Sequence, residues 1–284
     1  MDAWRDAWKI ARFDLETAFR TRRLVLWIAL YLLVALVTAM VLVKIESTVG
    51  DQVATLRALA QAPNPGTDDE ANKFLTGLSF LTGGDTEIAL RMIRMPLVVT
   101  GFFWSILTFL PALILLASHD MINGEVRNRS TRFVLLRTTR TSLLLGKTIS
   151  HLALALAATL LANLLVLGYA WFRLPAFPVL QTAWLLLRFF LMAIPYALCW
   201  VSLTALVSSL QDSGPRSLVT LGILMLLLQV LSLNRDVGFL SPLSHRLGLW
   251  SGEFLKAGTS VAVFLLFAAI FWTAAWWRMT RRDL

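Results

Sequence analysis

The chain has 284 residues, of which 57% are hydrophobic and only 15% charged, with a formal net charge of +9. Soluble domains carry about 25% charged residues, so this composition excludes an ordinary water-soluble fold. The basic excess is divided among loops between apolar runs instead of lying on one solvated face, which argues against nucleic acid as a partner. The single cysteine, Cys199, falls inside an apolar run; it reads as a packing residue and excludes a disulfide framework or a Cys/His metal cluster.

Residues 1–23 are charged and precede an apolar run long enough to span a membrane, so they do not read as a cleavable signal peptide. At 100° per residue, Trp4, Trp8, Ala11, Leu15, Ala18 and Phe19 share one sector while Arg5, Lys9, Glu16 and Arg20 point elsewhere. That pattern predicts an amphipathic helix lying in the membrane interface, with Trp at headgroup depth. The alternative is a solvated, charged lead-in.

A transmembrane helix needs about 20 largely apolar residues to cross roughly 30 Å of hydrocarbon. Six runs qualify: 24–43, 97–118, 148–172, 182–210, 217–233 and 259–277. Backbone groups in lipid must be paired within their own segment, and the period-two alternation of a barrel is absent, so the fold class is an all-α membrane protein with six spans over 24–284. Lys and Arg accumulate near span ends on the cytoplasmic side. Sixteen lie on the side of the two termini and nine on the other, which places both ends in the cytoplasm of a cell (inner) membrane protein.

Between spans one and two, the outer segment 44–96 holds a Pro/Gly/Asn breaker at 62–67, an acidic helix start at Asp68, Asp69 and Glu70, and two short amphipathic pieces. The connection 234–258 mixes Gly238, Pro242, Gly248 and Gly252 with apolar residues, which suits a short re-entrant or interfacial element.

Within the spans, Asn163, Arg188 and Gln229 are the polar candidates. Asn163 suits an inter-helix hydrogen bond and Arg188 a snorkelling position. Pro111 and Pro195 are expected to kink their spans. No Asp or Glu lies at mid-membrane, as a self-sufficient secondary transporter would want, and no Ser/His/Asp arrangement or metal spacing stands out, so neither a catalytic site nor a metal site is expected. Gly146-Lys147-Thr148 ends like a phosphate-binding loop, but Thr141 stands where that loop needs its first glycine. The sequon Asn128-Arg129-Ser130 falls on the expected cytoplasmic side and is discounted.

The informative stretch is the polar connection 119–147 between spans two and three, which is long for a connector. It sets Phe133, Leu136 and their neighbours among Arg127, Arg129, Arg132, Arg137 and Arg140. Such an apolar ridge rimmed by arginine fits a protein-docking surface; read from the residues alone, it fits equally a basic loop that enforces topology.

Glu125, Thr131, Leu135-Leu136, Arg140 and Leu144-Leu145-Gly146-Lys147 in this order resemble the segment E-x-x-x-G-T-L-x-x-L-L-x-x-P-x-x-R-x-x-x-L-x-G-K of permease subunits of type-two ATP-binding-cassette (ABC) exporters. The basic opening helix and the Trp276–Arg282 ending are similar too, while Ser130 and Thr138 depart where that family usually has Gly and Pro. The resemblance implies a non-catalytic membrane subunit, working as a homodimer and coupled to a separate cytoplasmic ABC ATPase that carries the ATP and magnesium. It implies further that 119–147 forms the coupling helix seated on that ATPase, through Glu125, the five arginines, Phe133, Leu136, Gly146 and Lys147. The turn holding Gln211, Asp212 and Arg216 would be a second, smaller contact. A mechanical subunit acting on an outer or periplasmic partner uses the same coupling and is the competing expectation, and the substrate is not legible.

Overall fold

The structure is a computed structural model that describes residues 3–61, 95–127, 138–174, 177–234, 236–250 and 254–281. Helix α1 (Ala3–Arg20) leads through a tight turn into α2 (Arg23–Gln61). Then come α3 (Leu97–Ser118), the short α4 (Asn123–Arg127), α5 (Arg140–Arg173), α6 (Val179–Leu210) and α7 (Gly214–Leu233). Two 3-10 segments (Gly238–Leu240 and Pro242–Trp250) precede the last helix, α8 (Phe254–Arg281). Among the described residues six helices are long and apolar enough to cross a membrane, at the six places where the sequence has its apolar runs.

The helices outrun those runs. α2 continues to Gln61, 39 residues in all, so the first third of the expected outer segment is an extension of span one. At 1.5 Å per residue it is about 58 Å long, well beyond the hydrocarbon thickness. The breaker, acidic start and amphipathic pieces expected at 62–94 lie outside the described residues. α5 begins at Arg140, two turns before the apolar run starts, because the Thr139 side chain caps it by accepting from the Ser142 N–H at 3.1 Å. Helices α3 and α6 run unbroken through Pro111 and Pro195.

Lipid tails are as apolar as leucine, so span-to-span packing draws on close contact and hydrogen bonds more than on the hydrophobic effect. The sequence supplies both. Helix α2 buries Tyr31, Ala35, Ala39 and Val43, a stripe at every fourth residue, and α5 buries Ala155, Ala158, Ala162, Val166 and Ala170. These small residues let α2, α3, α5 and α6 approach closely. Helix α6 is central: Tyr196, Ala197, Cys199, Trp200 and Val201 are fully enclosed, and Cys199 is a buried packing residue. Tyr196 Oη donates to Leu107 O of α3 at 2.6 Å, and its ring meets Phe264 of α8 edge-on at 5.2 Å. The Asn163 side chain of α5 donates to Leu186 O of α6 at 3.3 Å, the inter-helix bond its position suggested. Helix α7 is peripheral, burying only Gly214, Ser217 and Leu221.

One end of the bundle carries α1, the α3–α4 turn, the start of α5, the α6–α7 turn and the end of α8; it is termed the α1 face below. The 3-10 segments lie at the opposite end, where Leu243 and Leu249 enter the core and Arg246 stacks over Trp104 of α3 at 5.9 Å.

Candidate functional site

The α1 face gathers the polar residues that the spans exclude. Helix α1 turns two faces in different directions. Ala7 and Ala11 are buried against α5, with Asp14 following on the same side, while Trp4, Trp8, Phe13 and Phe19 stay more than half exposed. Ala11 thus belongs to the protein-facing side and not to the sector of the tryptophans. Gly146 of α5 makes this approach possible: a Cβ there would stand 2.7 Å from Ala7 O and 2.8 Å from Ile10 Cβ. At its far end α1 turns through Arg22, whose φ of 53° lies in the left-handed region usually given to glycine.

One turn along this contact sits the charge centre of the face. Lys147 Nζ donates to Asp14 Oδ1 of α1 at 2.8 Å and to Glu125 Oε1 of α4 at 2.7 Å. The lysine side chain is 9% exposed, Asp14 15% and Glu125 27%, so the triad is largely removed from solvent. Ser150 Oγ reaches Asp14 Oδ2 at 3.3 Å from the next turn of α5. Burial pushes the Asp14 carboxyl above the usual carboxylate range, with the Lys147 ammonium working in the opposite direction. One ammonium therefore ties three elements together: the first helix, the stub of the connection leaving span two, and the start of span three.

That stub is held from the other side as well. Ser208 Oγ of α6 accepts from the N–H groups of Ile122 and Asn123, at 3.0 and 3.2 Å, satisfying the first donors of α4. Gly214, the first residue of α7, lies against the α3–α4 turn, where an added Cβ would come 3.3 Å from Asp120 Cβ. The described residues of 119–147 and the turn 211–216, expected to make separate contacts, are therefore neighbours on one face. In the second of them, Gln211 Nε2 donates to Thr220 Oγ1 at 3.1 Å, while Asp212 and Arg216 are exposed.

Arg140 serves the end of the bundle: its guanidinium donates to Met279 O and Thr280 O, both at 2.7 Å, so it satisfies terminal carbonyls of α8. Trp276 Nε1 donates to Thr141 Oγ1 at 3.0 Å beside it. Arg129, Arg132, Phe133, Leu136 and Arg137, expected in the docking ridge, lie outside the described residues; Arg127 is the last residue of α4. Arg188 is half-buried on α6 and Gln229 half-buried on α7, both apart from this face. Among the described residues no three His, Cys, Asp or Glu side chains converge at metal-binding distance.

Residue-by-residue reading overlooked Asp14 and Ser208. Asp14 follows Ala7 and Ala11 at steps of four and three, so an acidic residue in line with an alanine stripe was its signal. Ser208 carried none, because serine near the end of a span is common.

The sequence model described as ABC-2 family transporter protein matches residues 8–284, from the first turns of α1 to the end of the chain. Among curated proteins no relative matches the sequence.

Proposed function

Since the chain belongs to the ABC-2 transporter family, we propose that this membrane permease is driven by a separate ATPase that grips the connection after α3, and that it exports its substrate. The observation that carries this reading is the Lys147 triad. A connection used as a handle must be rigidly attached to what it moves. Here its stub is tied to α1 and α5 through Glu125–Lys147–Asp14 and to α6 through Ser208. A push on the handle would then reach α1 and the spans α5 and α6 together and not be absorbed by a flexible joint.

In this reading Glu125, Gly146, Lys147 and Arg140 stiffen the base of the handle. Arg127, Arg129, Arg132, Phe133, Leu136 and Arg137 supply its ATPase-facing surface, with arginine for charge-assisted hydrogen bonds and the apolar pair for packing. Gln211, Asp212 and Arg216 extend the surface from the adjoining turn. ATP and magnesium belong to the ATPase, both termini and the α1 face lie in the cytoplasm, and two permease copies assemble around one pair of ATPases. The exposed tryptophans of α1 sit at headgroup depth, so the helix is a lever resting on the membrane surface.

Charge reversal at Arg132 and Arg137 tests this. The R132E/R137E variant is expected to insert and elute as the wild type while losing co-purification of a co-expressed ABC ATPase partner. Undiminished co-purification would place the contact elsewhere.

A further inference from the structure

Helix α1 has three sides. Ala7 and Ala11 are buried against α5, and Asp14 follows on that side to reach Lys147. Trp4, Trp8 and Phe19 make a second, exposed side. At 100° per residue, Arg5, Lys9, Arg12 and Arg20 fill a third sector about 80° wide next to the tryptophans, and all four are exposed. Arg12 is held by Glu16 at 3.0 Å. Among the described residues Arg5, Lys9, Arg20 and the exposed Arg22 of the following turn have no carboxylate partner. With Asp14 given to Lys147 and Glu16 to Arg12, the half-buried Asp6 is the one carboxylate of α1 left to oppose these cations.

The chain itself fixes the depth of this row. Arg22 stands two residues before the apolar run 24–43, at most about 7 Å of chain from the hydrocarbon edge, which is about the thickness of the headgroup layer. Trp276 and Trp277, exposed on the end of α8 at the same face, mark that level too, since tryptophan collects at membrane interfaces. We propose that α1 is a binding site for anionic phospholipid: Arg5, Lys9, Arg20 and Arg22 receive headgroup phosphates of the adjoining leaflet, while Trp4, Trp8 and Phe19 enter the acyl boundary beside them. A zwitterionic headgroup brings its own ammonium to the same row and is repelled by it, so lipids of net negative charge are preferred. The alanine side supplies the rigidity. Ala7 lies close over Gly146, and Asp14 is bonded to Lys147, so the cations are held at a fixed height beside the spans. The assignment rests on α1 lying at the membrane surface and on nothing in the ATPase contact.

The full chain, purified in mild detergent, incubated with equal dioleoyl-phosphatidylglycerol and dioleoyl-phosphatidylcholine and examined by native mass spectrometry, tests this assignment. Bound phosphatidylglycerol is expected to exceed phosphatidylcholine about fivefold, the ratio that one basic residue near an anionic surface supplies. The variant R5Q/K9Q/R20Q/R22Q is expected to lose most of that excess. K44Q/R173Q, which removes two cations at the opposite end of the spans, should keep it, and so should R5K/R20K/R22K, which preserves the charges. Equal retention of the two lipids by the wild type, an unaltered ratio in the fourfold variant, or an equal loss in K44Q/R173Q or R5K/R20K/R22K overturns the proposal. An unaltered ratio together with lost co-purification of a co-expressed ABC ATPase would make that protein the occupant of the row instead. Should the fourfold variant not elute as the wild type, R5Q/K9Q decides, a lowered ratio supporting the assignment and an unchanged one overturning it. The lipid ratio is read without an ATPase, so it stands or falls separately from the coupling reading.

Discussion

Lys147 shows how much one buried cation can organise. Its two carboxylate partners lie 133 and 22 residues away in sequence, so neither could be assigned to it from spacing alone. The Gly-Lys pair was legible as important, but its partners were not. Lys147→Met should destabilise the fold by about 3 kcal/mol, the low end for a broken buried pair because Glu125 keeps some solvent. The sign of the accompanying pH effect follows from Asp14. Its folded pKa is already raised by burial, and Lys147 is the main group opposing that rise, with a smaller part from Ser150. A carboxyl raised in the folded state favours folding when protonated and disfavours it as pH rises through the folded pKa. The Lys147→Met defect should therefore be largest at neutral and alkaline pH and partly recover on mild acidification, as followed by thermal unfolding in detergent. Gly146→Ala tests the neighbouring contact. The new Cβ meets backbone, not a flexible side-chain tip, so α1 must move away; a loss of about 2 kcal/mol is expected, within the usual cost of overpacking, together with faster proteolysis in α1.

At the scale of elements, the six spans were legible because lipid allows few solutions: a long apolar run has to be a helix, and the runs coincide with α2, α3, α5, α6, α7 and α8. The ends were less legible. Residues 140–147 were assigned to the polar connection and not to span three because they carry Arg140 and Lys147, yet they form the first two turns of α5, the helix start that Arg140 and Leu143–Leu145 suggested. Both charges are accommodated there by partners from elsewhere, Arg140 on the last carbonyls of α8 and Lys147 on Asp14 and Glu125. The run of α2 to Gln61 was hidden for a related reason, since a helix leaving the membrane becomes polar without ceasing to be a helix. Two substitutions separate these element-level contacts. Arg140→Ala leaves the end of α8 without its external donor, so amide exchange should rise over Met279–Arg281 while α5 stays protected. Tyr196→Phe removes one bond between α6 and α3 and should cost about 0.6 kcal/mol, the average for inter-helix hydrogen bonds in membranes, in an unfolding titration from mixed micelles.

For the whole molecule, the arrangement divides labour between its two ends. The interior of the bundle is closed by alanine stripes and by the aromatic group around Tyr196. The α1 face concentrates the ionic contacts, so a force applied to the connection after α3 would be spread over α1, α5 and α6 before it entered the membrane. The central claim is that this connection is where a separate ATPase takes hold. It is tested most directly by placing a photoreactive benzoylphenylalanine at position 133 and irradiating cells that express the chain together with an ABC ATPase partner. A covalent adduct of the two chains is predicted from position 133, with none from position 226 on α7. An adduct absent at 133, in a complex that still hydrolyses ATP, would contradict the account.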